Sequence, residues 1–382
     1  MSLYLSLKEI WRNKGRFFLF SLVIALITIL VLFIAALAEG LATANKEYLE
    51  KMNADLLVFQ ENTDLSTTGS RLGRSKLNKI RRVAGVADVG QVGFSNSKIV
   101  FDDGREAVDV SLVGVEADKP GSPPVLAGSA LSTNRGNVVV LDGKLAAANN
   151  LQVGDTITIK SVQGTEDKFF NLEVVGITDG RQYFFLPSVF VPFRTWDKIR
   201  PQGVSEGTQP ELISNIIAVS LDQPENWPSM AIEIQNQVDG VEVVDKVTAY
   251  EAAPGYAAQQ STLSTQRAFS LLIGVLVIGG IFQIQTLQKV PQIGMLKAIG
   301  TGNRIVALAV ISQIVLVTLF GVLLGAAISL GLAVGIPSNV PIIFTGSSVA
   351  LAVLSLLLIG PIGGIVSVRM AIKVEPLRAL GM

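Results

Sequence analysis

Cysteine and histidine are both absent from the 382 residues of this chain. Disulfides are therefore excluded, as are zinc sites, haem ligation through His or Cys, and any catalytic arrangement built on a histidine base. A domain outside the cytosol would have to hold together by its own core. Charge is also scarce: 16% of residues are charged, against about a quarter in an ordinary soluble chain. The deficit is local. Phe17–Ala38 and Ala268–Gln288 hold no charged residue, and none lies between Arg304 and Arg369. With no acid inside these stretches, a proton- or sodium-driven carrier lacks its relay. A G-x-x-x-x-G-K-[ST] phosphate loop occurs nowhere in the sequence, so this chain has no P-loop with which to hold ATP.

The long apolar stretches are Phe17–Ala38, Ala268–Gln288, Ile305–Gly335 and Gly346–Val368. Roughly 20 apolar residues cross a ~30 Å hydrocarbon core as a helix. The layout predicts one span (17–38), a large water-facing domain (39–267), then three spans (268–288, 305–335, 346–368). Phe17–Ala38 has 22 residues, longer than the apolar region of about 7–15 residues in a cleaved signal, which favours a retained span. Outside 39–267 there are ten basic and two acidic residues, a net +8; the central segment has 21 basic and 29 acidic, a net −8. Short Lys/Arg-rich segments stay in the cytoplasm. The expectation is a multi-pass protein of the cytoplasmic membrane with both termini and the 289–304 loop inside and the domain 39–267 outside. Nothing in this pattern points to a nucleic-acid partner.

Leu3, Leu7, Ile10 and Trp11 share one helical face, so residues 1–16 read as a cytoplasmic amphipathic elbow or as the charged flank of the first span. Stalks are expected at 39–52 and 254–267, where helix-compatible patterns continue beyond the spans. The outer domain states one pattern twice: strand, helix, Gly-Val, strand. It runs Ala54–Gln60, Ser75–Val83, Gly85-Val86 in a first half (54–117), then Asn215–Leu221, Trp227–Val238, Gly240-Val241, Glu242–Asp245 in a second (211–250). Two βαβ-type halves in one layer are the expectation. Between them, 118–200 reads as a β-rich insert with strands at Val138–Leu141, Thr156–Lys160 and Leu172–Gly176. Pro291, Pro337 and Pro341 break the C-terminal apolar region. Gly321/Gly325 and Gly331/Gly335 have the small-xxx-small spacing that lets helices approach closely, though membrane helices are generally rich in glycine. The fold class is thus a membrane α-helical protein, four transmembrane helices in a 1+3 arrangement, with a large α+β extracytoplasmic domain.

The most specific local signal is Gln288–Arg304, QKVPQIGMLKAIGTGNR, between two spans. Ile293, Leu296 and Ile299 recur at helical spacing, and Gly300 is placed to cap the helix. A short helix beneath the bilayer is a surface that another protein can push.

Here the chain resembles the permease subunits of MacB/FtsX-type ABC transporters, whose loop between the second and third spans reads like R-E-I-G-x-L-(K/R)-A-(I/L/M)-G. The matching residues are Gln292, Ile293, Gly294, Met295, Leu296, Lys297, Ala298, Ile299 and Gly300. Gln292 stands where the family usually has Glu, a departure similar to the HrtB/DevC-like branch, whose HrtB-like permeases export haem. The opening KEIWRNKGRFFLF, the stretch Asn137–Ile159 and the tail around Pro376 (369–382 is expected to be cytoplasmic) also resemble the family. The resemblance implies a MacB-like periplasmic core domain and a non-catalytic permease subunit. ATP and Mg would be held by a separate ABC ATPase docked on the coupling residues, in a complex of two permeases and two ATPases within the lipid bilayer. It implies export of a hydrophobic or amphiphilic compound such as haem, a peptide, a lipid or a drug. The alternative is an FtsX-like transmitter that regulates a cell-wall hydrolase outside the cell. Glu39, Tyr48, Met52 and Tyr256 lie along the expected stalks and could line an outer cleft that meets such a substrate. Tyr and Met at such places also serve as packing or interfacial anchors. No resident metal or cofactor is expected on this chain, and no catalytic residue.

Overall fold

A computed structural model of the chain describes residues 8, 11–101, 103–202, 212–253, 255–333, 335 and 340–374. In chain order these form α1 (Lys14–Glu50), β1 (Leu56–Gln60), β2 (Leu72–Gly73), α2 (Arg74–Ile80), β3 (Val86–Val100), β4 (Val108–Val115), β5 (Ala127–Gly128), β6 (Val138–Asp142) and α3 (Gly143–Asn149). Next come β7 (Thr156–Gln163), β8 (Glu166–Thr178), β9 (Gln182–Tyr183), β10 (Leu186–Pro192), α4 (Phe193–Ile199), β11 (Ile213–Ser214), β12 (Ile216–Leu221), α5 (Trp227–Gln237), β13 (Val241–Asp245) and α6 (Lys246–Glu251). The chain closes with α7 (Tyr256–Gln288), α8 (Val290–Ala298), α9 (Asn303–Ala333) and α10 (Gly346–Ile372). Two compact units result: Met1–Gly40 with Gln260–Met382, and Leu41–Gln259. The expected elbow falls mostly outside the described residues, as do Pro254, Pro337 and the tail from Glu375.

Among the described residues four helices, α1, α7, α9 and α10, are long and apolar enough to cross a membrane. The 1+3 order matches the expectation, but α1 and α7 exceed the apolar stretches. No proline interrupts α1, and Gly40 is the one glycine between Ala38 and Glu50, so span and stalk are a single helix. In the membrane unit, close packing follows the small residues. A Cβ on Gly321 would come within 2.7 Å of Ile24, and one on Gly325 within 2.6 Å of the Ala25 carbonyl. These glycines let α9 lie against α1. Among the described residues Gly331 has no such neighbour, and Gly335 meets only its own turn. Gly363 and Gly279 bring α10 against α7 instead.

The outer unit begins with a four-stranded sheet in the order β13-β1-β12-β3. β1 is antiparallel to both neighbours, with Leu57 opposite Ala218 and Val244. The units β1-α2-β3 and β12-α5-β13 therefore each straddle one strand of the other, a pair of split βαβ motifs. This is the repeated pattern of the sequence, interleaved rather than laid side by side. β1 reads as an unbroken apolar run because it is covered on both faces. Leu56 and Val58 pack in a cluster with α2 and α5 residues such as Leu77, Ile80 and Ile234. Leu57 and Phe59 pack with Tyr48, Leu49 and Met52 from the end of α1 and just beyond it.

β3 is long and serves two sheets. Past β12 it pairs with β4 and, at Lys98–Val100, with β7. β4 pairs with β10, β10 with β6, β6 with β8, and β8 with β7. The six strands close on themselves, which removes sheet edges. The ring's core includes Ile99, Leu112, Val139, Ile157, Val174 and Val189 with Trp196 of α4. Gly93 and Gly114 make room for that indole, since a Cβ on either would lie 2.4–2.5 Å from it. The insert thus begins inside β3, not at 118, where turn residues first appear.

Candidate functional site

α8 is the centre of the site. Pro291 sits in its first turn, where the missing N–H costs no hydrogen bond. Gly300 ends it with φ +95°, and the Thr301 N–H donates back to the Leu296 carbonyl at 3.1 Å, the backbone return that a left-handed cap provides. The helix is two-sided. Ile293 is buried with Val306 and Ala371, and Gly294 is buried beside it. Met295, Leu296 and Ile299 are 56%, 42% and 77% exposed, and Gln292, Ala298 and Gly300 are exposed too. Residues 292, 295, 296 and 299 form one stripe at i, i+3, i+4, i+7.

Lys297 belongs to the expected docking set, but its ammonium turns onto the chain itself. It donates to the carbonyls of Ile372 at 2.5 Å and Val374 at 3.0 Å. A helix C-terminus leaves carbonyls without partners and carries partial negative charge, so a lysine there is favourable twice over. Ile293, Gly294 and Lys297 are thus corrected from partner-facing to inward-facing residues. At the other end of α8, Lys289 donates to Gln313 of α9 at 2.9 Å. Arg16 of α1 donates to Gln288. Two lysines thus tie the ends of α8 to α9 and α10. Lys297→Met keeps the aliphatic stem and removes the donors. It is expected to lower the thermal stability of the purified protein by about 1–3 kcal/mol while leaving association with an ATPase unchanged, read by co-purification.

Of the four outer residues, Tyr48 and Met52 line no cleft. Tyr48 is fully buried (0%) and Met52 nearly so (2%). The Tyr48 hydroxyl donates to the Gly121 carbonyl at 2.8 Å, and its ring meets Phe94, Tyr183 and Phe190. Both are core residues of the outer unit, so the expectation that they line a substrate cleft is corrected: they face the sheet that α1 covers. Tyr256 is half-buried, its ring 5.9 Å from Tyr250. Glu39, in the membrane unit, is half-buried and accepts from the Ser348 hydroxyl at 3.2 Å.

The profile of the MacB-like periplasmic core domain matches residues 17–250, and that of the FtsX-like permease C-terminal region matches 268–376. The chain belongs to the MacB/FtsX-type ABC transporter permeases. Similar proteins span the permease from end to end. One carries the name “Putative hemin transport system permease protein HrtB”, of Staphylococcus haemolyticus, and is 28% identical over 99% of both chains. An HrtB of Staphylococcus epidermidis is 26% identical over 99% of both. Among solved structures, the extracellular domain of the noncanonic ABC-type transporter YknZ from Gram-positive bacteria aligns with 50% of the permease and 99% of that domain (16% identity, TM-score 0.36). The periplasmic region of MacB from Actinobacillus actinomycetemcomitans aligns with 50% and 89% (14% identity, TM-score 0.36).

The permease also has a polar lock that the sequence did not reveal. Glu47 of α1 is buried and accepts from Lys51 at 2.8 Å, Lys144 at 2.9 Å and the Gln182 N–H at 3.3 Å. Asp142, the N-cap of α3, accepts from the N–H groups of Lys144 (2.7 Å), Leu145 (3.2 Å) and Arg181. Burial pushes the Asp142 carboxyl up, against the pull of those N–H donors and the Lys144 charge. Arg181 donates to Asp179 at 2.6 Å and to the Lys51 carbonyl at 2.7 Å. The last turns of α1 are thereby fixed to α3 and to the turn after β8. Gln313 did have a sequence signal, as an amide inside a charge-free run. Glu47 had none, because its partners come from distant positions.

Proposed function

We propose that this permease couples a separate ATPase to the outward movement of a hydrophobic or amphiphilic compound, and that the ATPase grips the stripe Gln292, Met295, Leu296 and Ile299. The observation that carries this reading is the two-sidedness of α8: an exposed apolar stripe on one side, lysine ties to α9 and α10 on the other. A push on the stripe therefore reaches the spans without slack. The Lys/Arg-rich ends and the 289–304 segment are cytoplasmic, so the stripe faces the ATPase, and Mg-ATP is held by that partner. Two permeases pair over two ATPases. α1 runs unbroken to Glu50, and its last turns are locked into the outer core by Tyr48, Leu49 and Glu47. Motion of the span thus becomes motion of the outer unit, a two-state change biased by nucleotide.

Hemin leads the cargo candidates, because two full-length relatives, 28% and 26% identical, are hemin transport permeases by name. Hemin is an apolar ring with two carboxylates, and its iron would find no His or Cys here. Of the expected outer residues, Glu39 and Tyr256 keep exposed surface. The test is reconstitution with the ATPase subunit in vesicles, followed by addition of hemin, a peptide or a lipophilic drug. Cargo-stimulated ATP turnover is the expected result. Stimulation only by a cell-wall hydrolase would replace export with transmembrane signalling.

A further inference from the structure

A cleft of about 270 Å³ opens in the outer unit where β3 passes from its pairing with β12 to its pairing with β4. Its floor is fixed by hydrogen bonds of the fold itself. The Asn215 side chain accepts from the Phe94 N–H at 2.7 Å and donates to the Ser70 carbonyl at 3.3 Å. The Trp196 indole N–H donates to the Ser95 hydroxyl at 3.0 Å. Phe94 and Trp196 line the cleft and are themselves buried, so they hold an apolar surface in place rather than rearranging into it.

Two arginines complete the lining, one from each part of the unit. Arg71 leads into β2, which pairs with β11 just ahead of Asn215. It is exposed, and among the described residues its guanidinium has no hydrogen-bond or ion-pair partner. Arg200 follows α4. Its Nε donates to Asp197 at 2.9 Å, and its guanidinium carbon lies 5.3 Å from the Trp196 ring. Its two terminal nitrogens are likewise unengaged among the described residues. The segment 39–267 carries a net −8, yet the cleft lining holds both arginines and no acid. Guanidinium forks recognise carboxylates bidentately. The volume lies just below the roughly 300–1,000 Å³ of drug-sized sites, which suits a small organic acid and excludes a folded partner.

We propose that this cleft binds a small organic acid, its carboxylate on Arg71 and Arg200 and its apolar body against Phe94 and Trp196. The acid then bridges the four-stranded sheet and the ring. The probe is para-fluorophenylacetate, titrated by fluorine NMR against the full-length permease in nanodiscs, with empty nanodiscs as the baseline. Binding is read without ATP or cargo, so export and this site stand or fall separately. para-Fluorobenzyl alcohol supplies the body without the charge, and acetate, as a competitor, the charge without the body. The expected result is saturable binding of the acid, several-fold tighter than either comparison compound. Arg71→Gln should weaken it about tenfold with an unchanged melting temperature, because that guanidinium supports nothing in the fold. Arg71→Lys keeps the charge without the fork and should fall between. Arg200→Gln repeats the loss from the ring side. Arg82→Gln removes an exposed charge outside the cleft and should bind as the parent does. No saturable binding above empty nanodiscs overturns the proposal. Equal binding of the alcohol also overturns it, assigning the signal to apolar contact alone. So does equal loss in the Arg71→Gln and Arg82→Gln variants, which assigns it to overall charge. Much tighter binding of para-fluorophenyl phosphate overturns the carboxylate assignment.

Discussion

Leu296→Glu combined with Ile299→Glu is expected to abolish cargo-stimulated ATP turnover while leaving the permease folded and inserted. The two residues are 42% and 77% exposed, so charge there disturbs little inside the chain. In the complex they would be covered. Burying an apolar side chain of this size contributes about 1.5–3 kcal/mol, and a carboxylate in its place adds a desolvation cost. Loss of both contacts weakens docking by about 3–6 kcal/mol, a hundredfold or more in affinity. Gln292→Glu is the matching control. It restores the carboxylate that the family loop usually has, on the same exposed stripe, and should dock at least as well. Measuring ATPase affinity for the three proteins in nanodiscs decides the matter: equal affinities would remove α8 from the interface.

The sequence reveals half of this site and conceals the other half, for a physical reason. The 288–304 segment lies between charge-free runs and carries basic residues, so its expected cytoplasmic place and its helical spacing are read from composition alone. Which side of that helix faces inward does not. Ile293, Leu296 and Ile299 are equally apolar, but only Ile293 has Val306 and Ala371 to pack against. Lys297 reads as a free surface charge until the end of α10 is seen beside it. Likewise Tyr48 and Met52 continue the face of a membrane helix in sequence, whereas β1 and β12 supply the apolar surface that buries them.

The fold shows the same division. Spans and paired β-α-β patterns are local, so the kind of element can be read from composition and periodicity. The interleaving of β1, β12 and β13 is a long-range pairing, and so is the closure of β7 onto β3. No local periodicity encodes which strand inserts between which. The sequence pattern does not mark the short helices α3, α4 and α6; α3 and α6 are announced by their caps, Asp142 and Asp245, rather than by an apolar period.

Leu41→Pro gives the second large effect. Residue 41 stands where the membrane unit ends and the outer unit begins, in the interior of α1. Proline there removes the N–H that bonds to the Leu37 carbonyl and clashes with that turn, at a cost of about 3 kcal/mol to a continuous helix. The polar lock lies further on, from Glu47, so the outer unit keeps its anchor on the broken half of α1. The ATPase site proposed on α8 is on another helix and is untouched. ATP turnover is therefore expected to stay within roughly twofold, while cargo export falls by an order of magnitude or more, because a kinked joint absorbs displacement that a straight helix passes on. Leu41→Ala, which keeps the helix, should behave as the parent. Parallel assays of ATP hydrolysis and export in vesicles separate the outcomes. Full export by the proline variant would show that force reaches the outer unit by a route other than α1, leaving α7 to carry it.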